Sequence, residues 1–145
     1  MQISEQWVLV TGGARGLGAH ISRAVAREGA GVVINYHSSD KAAAALAEAL
    51  GPRAIALQAD VTDTAAVQRL VRQAQEQTGH AITSVVNNAL TAFAFDGDAR
   101  PKMQDIRWER FAQQFEGAVK GAINTIQATL PAMRAAGFGR VVNVG

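Results

Sequence analysis

The chain has 145 residues, 48% of them hydrophobic and 18% charged, with a formal net charge of +2. That is the length of one domain, and high apolar content with little net charge excludes a disordered chain. Two surplus positive charges without a Lys/Arg cluster make no electrostatic footprint for nucleic acid.

Val8-Leu9-Val10 is apolar at consecutive positions and predicts a first strand covered on both faces. Leu17, Ile21, Ala24 and Val25 follow at helical spacing between Gly16 and Glu28, and Gly29 is free to take the positive φ that ends a helix. Val32-Val33-Ile34 predicts the second strand. Asp40 stands as the expected cap of an alanine-rich helix that Gly51-Pro52 stops after Leu50. Ala54 to Leu57 reads as the third strand. Thr62 or Asp63 then caps a helix through Val67, Leu70, Val71 and Ala74, which Gly79 closes. Ser84-Val85-Val86 is the fourth strand, and Thr91 to Lys102, with Gly97 and Pro101, reads as a loop. A long helix is expected from about Gln104 to Arg134, bent near Gly117 or Gly121, with Pro131 tolerated by a kink. Gly137-Phe138-Gly139 turns the chain into a fifth strand from Arg140 to Val144. Strands alternating with helices predict an α/β fold with a parallel sheet.

The most informative segment leaves the first strand and opens the first helix: Thr11-Gly12-Gly13-Ala14-Arg15-Gly16-Leu17-Gly18. A tight turn, a backbone bare of Cβ atoms and a helix amino terminus together suit a pyrophosphate. In that context the glycines point to a dinucleotide, against the bland alternative of a glycine-rich turn with no ligand. A mononucleotide phosphate loop fails, because Ala19 and His20 stand where it needs Lys and Ser/Thr.

The spacing of Gly12, Gly16 and Gly18 resembles the Thr-Gly-x-x-x-Gly-x-Gly of the short-chain dehydrogenase/reductase family. Asp60-Val61 is similar to the family's Asp-Val pair, and Asn87-Asn88-Ala89 to its Asn-Asn-Ala-Gly, each after a strand. The resemblance runs along the whole chain and lies nearest the 3-oxoacyl-[acyl-carrier-protein] reductase-like branch. It implies a Rossmann-type doubly wound parallel sheet in the order 3-2-1-4-5. It also implies cofactor contacts from Gly12, Gly13, Ala14, Arg15, Gly16, Leu17 and Gly18, from Asp60 and Val61 at the adenine, and from Asn88 and Ala89. The chain departs from the pattern at Leu90, where glycine is usual, and at Thr83, where aspartate is frequent. Ala118 replaces the relay asparagine ahead of Lys120-Gly121. No Tyr-x-x-x-Lys is present, since the one tyrosine, Tyr36, is followed by Asp40. No catalytic residue is therefore assigned.

The cofactor follows from charge. The segment after the second strand, Asn35-Tyr36-His37-Ser38-Ser39, carries no carboxylate until Asp40. An NAD site wants an acidic residue there. Arg15, with His37 and Ser38, suits a 2′-phosphate instead. NADP is expected over NAD, and Arg at this place likewise accompanies NADP in the family.

Val141, Val142 and Val144 put apolar groups on both faces of the last strand. The expectation is that residues 1–145 are an NAD(P)-binding Rossmann domain incomplete at its carboxyl end, with further strands and helices absent. The leading functional expectation is hydride transfer from NADPH to a ketone or 3-oxoacyl carbonyl, with this chain as the cofactor-binding half. A non-catalytic dinucleotide-binding or interaction module is the alternative. A flavin- or methyl-donor-binding domain leaves Asn87-Asn88-Ala89 unexplained. Expected partners are a small carbonyl or acyl substrate and a second copy of the chain. A homodimer or homotetramer would pair through Phe111, Phe115, Ala118, Ala122 and Ile126 on the long helix.

The absence of cysteine removes disulfides, thiolate catalysis and Cys-ligated zinc. His20, His37 and His80 are too widely spaced for a metal motif, and no metal is expected. No apolar run approaches the ~18 residues of a membrane span. Met1 to Trp7 is not a signal peptide, and the expected location is the cytoplasm with no membrane contact.

Overall fold

A computed structural model describes residues 1–90, 97 and 101–145. Most of the loop expected over Thr91 to Lys102 lies outside them. The strands are β1 (Trp7–Val10), β2 (Gly31–Tyr36), β3 (Ala54–Gln58), β4 (Ser84–Asn87) and β5 (Arg140–Asn143). The helices are α1 (Gly16–Arg27), α2 (Asp40–Leu50), α3 (Thr64–Thr78), α4 (Trp108–Phe115) and α5 (Gly121–Ala135). All strands are parallel, in the order β3-β2-β1-β4-β5.

Register follows from the continuous apolar runs. Leu9 of β1 lies beside Val33 and Val85, and Val10 beside Ile34 and Val86. Successive side chains on a strand point to opposite faces, so these rows feed two separate cores. Leu9, Val33 and Val85 pack with Leu70 and Ala74 of α3 and Met133 of α5. Val10, Ile34 and Val86 pack with Ala19 of α1 and with Ala43 and Leu46 of α2. Helices on both faces bury the centre of the sheet completely, and Leu9, Val10, Val33 and Ile34 have no exposed surface.

Two local expectations are corrected. Asp40 is not the cap of α2; Ser39 holds that position without a side-chain bond, and Asp40 is the first helical residue, exposed. Its carboxylate there favours α2 through the helix dipole and not through a capping bond. The long helix does not begin at Gln104, which lies in a short 3-10 turn, Met103–Asp105. Helix α4 begins at Trp108, and a π-helical turn over Glu116–Lys120 joins it to α5. Gly117 lies within that irregularity and Gly121 follows it, both poor helix formers. Gly121 also answers to packing, since a Cβ there would stand 2.9 Å from Val61 Cγ2. Pro131 sits inside α5 without ending it.

Between the two candidate caps of α3, the structure selects Asp63, which accepts from the N–H groups of Ala65 (2.9 Å) and Ala66 (3.1 Å). Strand β5 is the outer strand on its side, with Val141 and Val142 at 40% and 52% exposure. Thr83, ahead of β4, carries a buried hydroxyl with no hydrogen-bond partner among the described residues. That is a local cost of about 1–3 kcal/mol. Among the described residues no helix is long and apolar enough to cross a membrane.

Candidate functional site

The site lies where the carboxyl ends of β1, β2 and β4 meet, the place where open α/β sheets bind ligands. Past β1 the chain turns at Gly12, whose φ of +59° few other residues adopt, and again at Gly16, at +50°. Thr11 ties this turn to β4. Its N–H donates to the Val86 carbonyl at 3.0 Å, and its Oγ1 accepts from the N–H groups of Asn88 (2.9 Å) and Ala89 (3.0 Å). Asn88 replies with its side chain, donating Nδ2 to the carbonyls of Thr11 (3.1 Å) and Gly12 (3.3 Å).

The glycines divide by task. A Cβ at Gly18 would run into the Gly12 carbonyl and stand 2.7 Å from Asn88 Nδ2. A Cβ at Gly13 would stand 2.8 Å from the Val10 carbonyl. These two let α1 lie close on the sheet, and Ser22 Oγ, bonded to the carbonyls of Gly18 (2.9 Å) and Gly13 (3.2 Å), holds it there. At Gly16 a Cβ would meet nothing within 4 Å, so the space over that residue is open.

Arg15 occupies the cap position of α1 and makes no side-chain cap bond. The first-turn N–H groups of Gly16, Leu17 and Gly18 are thus left without a cap, beside the positive end of the helix dipole. Leu17 is 58% exposed, Ala14 is buried, and the Arg15 guanidinium is exposed without an ion pair among the described residues. Open donors, a dipole and a free cation can hold a phosphate-bearing group.

The second part of the site lies beyond β2 and β3. His37 and Ser38 are exposed just past β2. Asp60 Oδ1 accepts from the Thr62 N–H (2.8 Å) and hydroxyl (2.7 Å). Partial burial pushes the Asp60 carboxyl up, but the two Thr62 bonds, with His37 and Lys120 nearby, outweigh it, and the pKa lies below the ordinary carboxylate value. A lowered folded-state pKa contributes stability above the ordinary value and loses it as pH falls through the folded one. Asp60→Asn is therefore expected to destabilise at neutral pH, with the deficit shrinking in acid. Urea midpoints of both proteins across about pH 2–7 check this. A deficit of constant size at every pH would contradict it.

Val61 is buried against Gly121, and its carbonyl accepts from Asn124 Nδ2 at 2.8 Å. Asn124 Oδ1 in turn accepts from Thr64 Oγ1 at 3.0 Å, which clamps α5 to this loop. Deeper in, a cavity of about 30 Å³ lies among Thr11, Asn87, Ala89, Ala118 and Asn143. Asn87 spans it, accepting from Thr125 Oγ1 at 2.6 Å and donating to Asn143 Oδ1 at 2.9 Å.

The structure thus gathers Gly12 to Gly18 with Asn88 and Ala89 at one end, and His37, Ser38, Asp60 and Val61 at the other. Sequence reasoning passed over Asn35, Asn124 and Thr125, all buried and hydrogen-bonded around these segments. The signal available was a polar residue inside an otherwise apolar strand or helix face.

Comparison with known proteins shows the family to which this fold belongs. A family model described as short chain dehydrogenase matches residues 6–145. An uncharacterized oxidoreductase of Methylorubrum extorquens is 36% identical over 123 residues, covering 83% of this chain and 47% of that protein. A sorbitol dehydrogenase of Cereibacter sphaeroides is 35% identical over 145 residues, covering 99% of this chain and 54% of its own. Among solved structures, a blue fluorescent protein from a metagenomic library, in complex with NADPH, superposes with a TM-score of 0.81 at 32% identity, over 100% of this chain and 57% of that one. A gluconate 5-dehydrogenase from Burkholderia cenocepacia, in complex with NADP and tartrate, gives 0.78 at 28% identity, over 94% and 51%. The chain spans about half the length of the curated relatives it matches. Matched from residue 6 to residue 145, the chain belongs to the short-chain dehydrogenase family.

Proposed function

We propose that residues 1–145 form the NADP-binding Rossmann domain of a carbonyl reductase. The observation that carries this reading is the uncapped start of α1 behind a bare glycine turn, with the free Arg15 guanidinium beside it. The residues present fit the group. The glycine turn with Leu17 would hold the pyrophosphate, Arg15 with His37 and Ser38 the 2′-phosphate, Asp60 and Val61 the adenine, and Asn88 and Ala89 the nicotinamide side. Two of the structural neighbours were solved with NADPH or NADP, which supports the choice.

When bound, NADPH supplies hydride to a carbonyl carbon, here that of a ketone or 3-oxoacyl compound. These residues bind and orient the dinucleotide. The acid–base tyrosine of the family, followed four residues later by lysine, is not among them, because Tyr36 is followed by Asp40. A second reading is a dinucleotide-binding module without catalysis. NADPH consumption by the full-length protein against a panel of ketones and 3-oxoacyl thioesters separates the two. Turnover supports the reductase, whereas binding without turnover on any carbonyl supports the module.

Self-association belongs to the same proposal. Trp108, Phe111, Phe115, Val119 and Ile123 leave large apolar surface exposed along α4 and α5. Such a face is covered in a homodimer or homotetramer. A monomeric mass by light scattering is the contrary result.

A further inference from the structure

The turn at Gly12 to Gly18 and the segment at Asp60-Val61 are the two halves of the proposed cradle, and one buried side chain reaches from the turn to Ala59, the residue just ahead of Asp60. Asn35, the penultimate residue of β2, is 2% exposed. Its Nδ2 donates to the Ala59 carbonyl at 3.0 Å, with longer contacts to the carbonyls of Tyr36 (3.4 Å) and Leu57 (3.5 Å). On its other side, Oδ1 faces the Gly12 N–H at 3.4 Å, and its own carbonyl accepts from the Gly13 N–H at 2.9 Å. The Gly12 and Gly13 N–H groups are thereby turned into the protein, which leaves the donors of α1 to face outward.

The sheet cannot do this work. The β2–β3 ladder ends at Tyr36 beside Gln58, and the β1–β2 ladder ends at Val10 beside Ile34. Beyond those rows, backbone bonds tie each segment to β2, from the Gly13 N–H to the Asn35 carbonyl and from the Ala59 N–H to the Tyr36 carbonyl, and the Asn35 side chain joins the two segments directly to each other. An apolar side chain of similar size would fill the space without fixing the gap. Asn presents an acceptor to one segment and a donor to the other from one planar group.

We infer that Asn35 is a positioning residue that sets the separation of the phosphate turn and the adenosine shelf, and so joins two weak half-sites into one dinucleotide site. This rests on the NADP-binding reading. Ligands that occupy one half only do not depend on the separation; a ligand that must reach both does, because linking two weak contacts multiplies affinity only where the geometry fits.

The test compares the full-length protein with Asn35→Ala, using NADP, adenosine and inorganic pyrophosphate as separate probes in ligand-observed NMR and calorimetry. The expected result is a loss of about ten- to hundredfold for NADP, with both fragments within about twofold of the parent. If Asn35→Ala does not fold, Asn35→Ser keeps a hydroxyl in the buried pocket but lacks the reach to Gly12, and the same pattern is expected of it. Equal losses for NADP and both fragments would mean a merely structural residue and would overturn the inference. Unchanged NADP affinity would overturn it as well. Both outcomes leave the functional reading intact provided the parent binds NADP. Failure of the parent to bind overturns the functional reading, and the role of Asn35 with it.

Discussion

Gly18→Val is expected to abolish NADP binding and to destabilise the fold by about 3 kcal/mol, the upper end of what overpacking costs. The added Cβ has nowhere to go. It would run into the Gly12 carbonyl and crowd Asn88 Nδ2, both fixed by their own bonds to the strand ends. Relief requires α1 to lift from the sheet, which also breaks the Ser22 bonds to the carbonyls of Gly13 and Gly18. Gly16→Val is the informative partner. Its Cβ meets no protein atom within 4 Å, so the fold bears only the penalty of a side chain at φ +50°. That is about 1–3 kcal/mol. Binding should still fail, because the branches would stand in the open space over the turn. Urea denaturation with calorimetric titration of NADP reads both effects. Parent-like stability in Gly18→Val, or retained affinity in folded Gly16→Val, would refute the assignment of the turn.

Arg15→Ala should weaken NADP about ten- to hundredfold while leaving NAD nearly unchanged, since a charge-assisted hydrogen bond is worth ~1.5–3 kcal/mol. The guanidinium is exposed and unpaired among the described residues, so its removal leaves no buried charge and costs the fold little. His37→Asp should push in the same direction, repelling a 2′-phosphate and offering NAD's ribose hydroxyls an acceptor. The competing account runs through Asp40, exposed at the first turn of α2, which could serve the ribose hydroxyls of NAD while Arg15 only stacks on the adenine. Dissociation constants for both dinucleotides at one salt concentration decide between them, because charge contacts weaken as salt rises. Loss of both affinities by one factor would remove Arg15 as a phosphate ligand.

The sheet was legible because its strands are buried on both faces. Val8-Leu9-Val10, Val32-Val33-Ile34 and Ser84-Val85-Val86 are the continuous runs that interior parallel strands carry, and their order was implied by the family resemblance. The glycine turn was legible because its residues act locally, within a few positions of one another. What escaped was long-range or conformational. Periodicity cannot separate an α-helical stretch from a π-turn that inserts one extra residue, so Glu116–Lys120 read as part of one helix. Crowding at Gly18 depends on Asn88, far away in sequence, and spacing alone drew attention to Gly16 instead. Asn35 stood in the segment after the second strand with no role of its own, and Asn124 and Thr125 fell within the long helix unremarked. Each is buried, and each takes its meaning from a partner on another element.

On the proposed reading, this glycine turn and the strand ends beside it hold NADP in preference to NAD. Equilibrium titration of the unmodified protein with each dinucleotide, at the same salt and pH, tests it most directly. The account predicts saturable binding of both, with NADP tighter by at least about tenfold, the least a charge-assisted contact to the 2′-phosphate should supply. Equal affinities, or tighter binding of NAD, would contradict it.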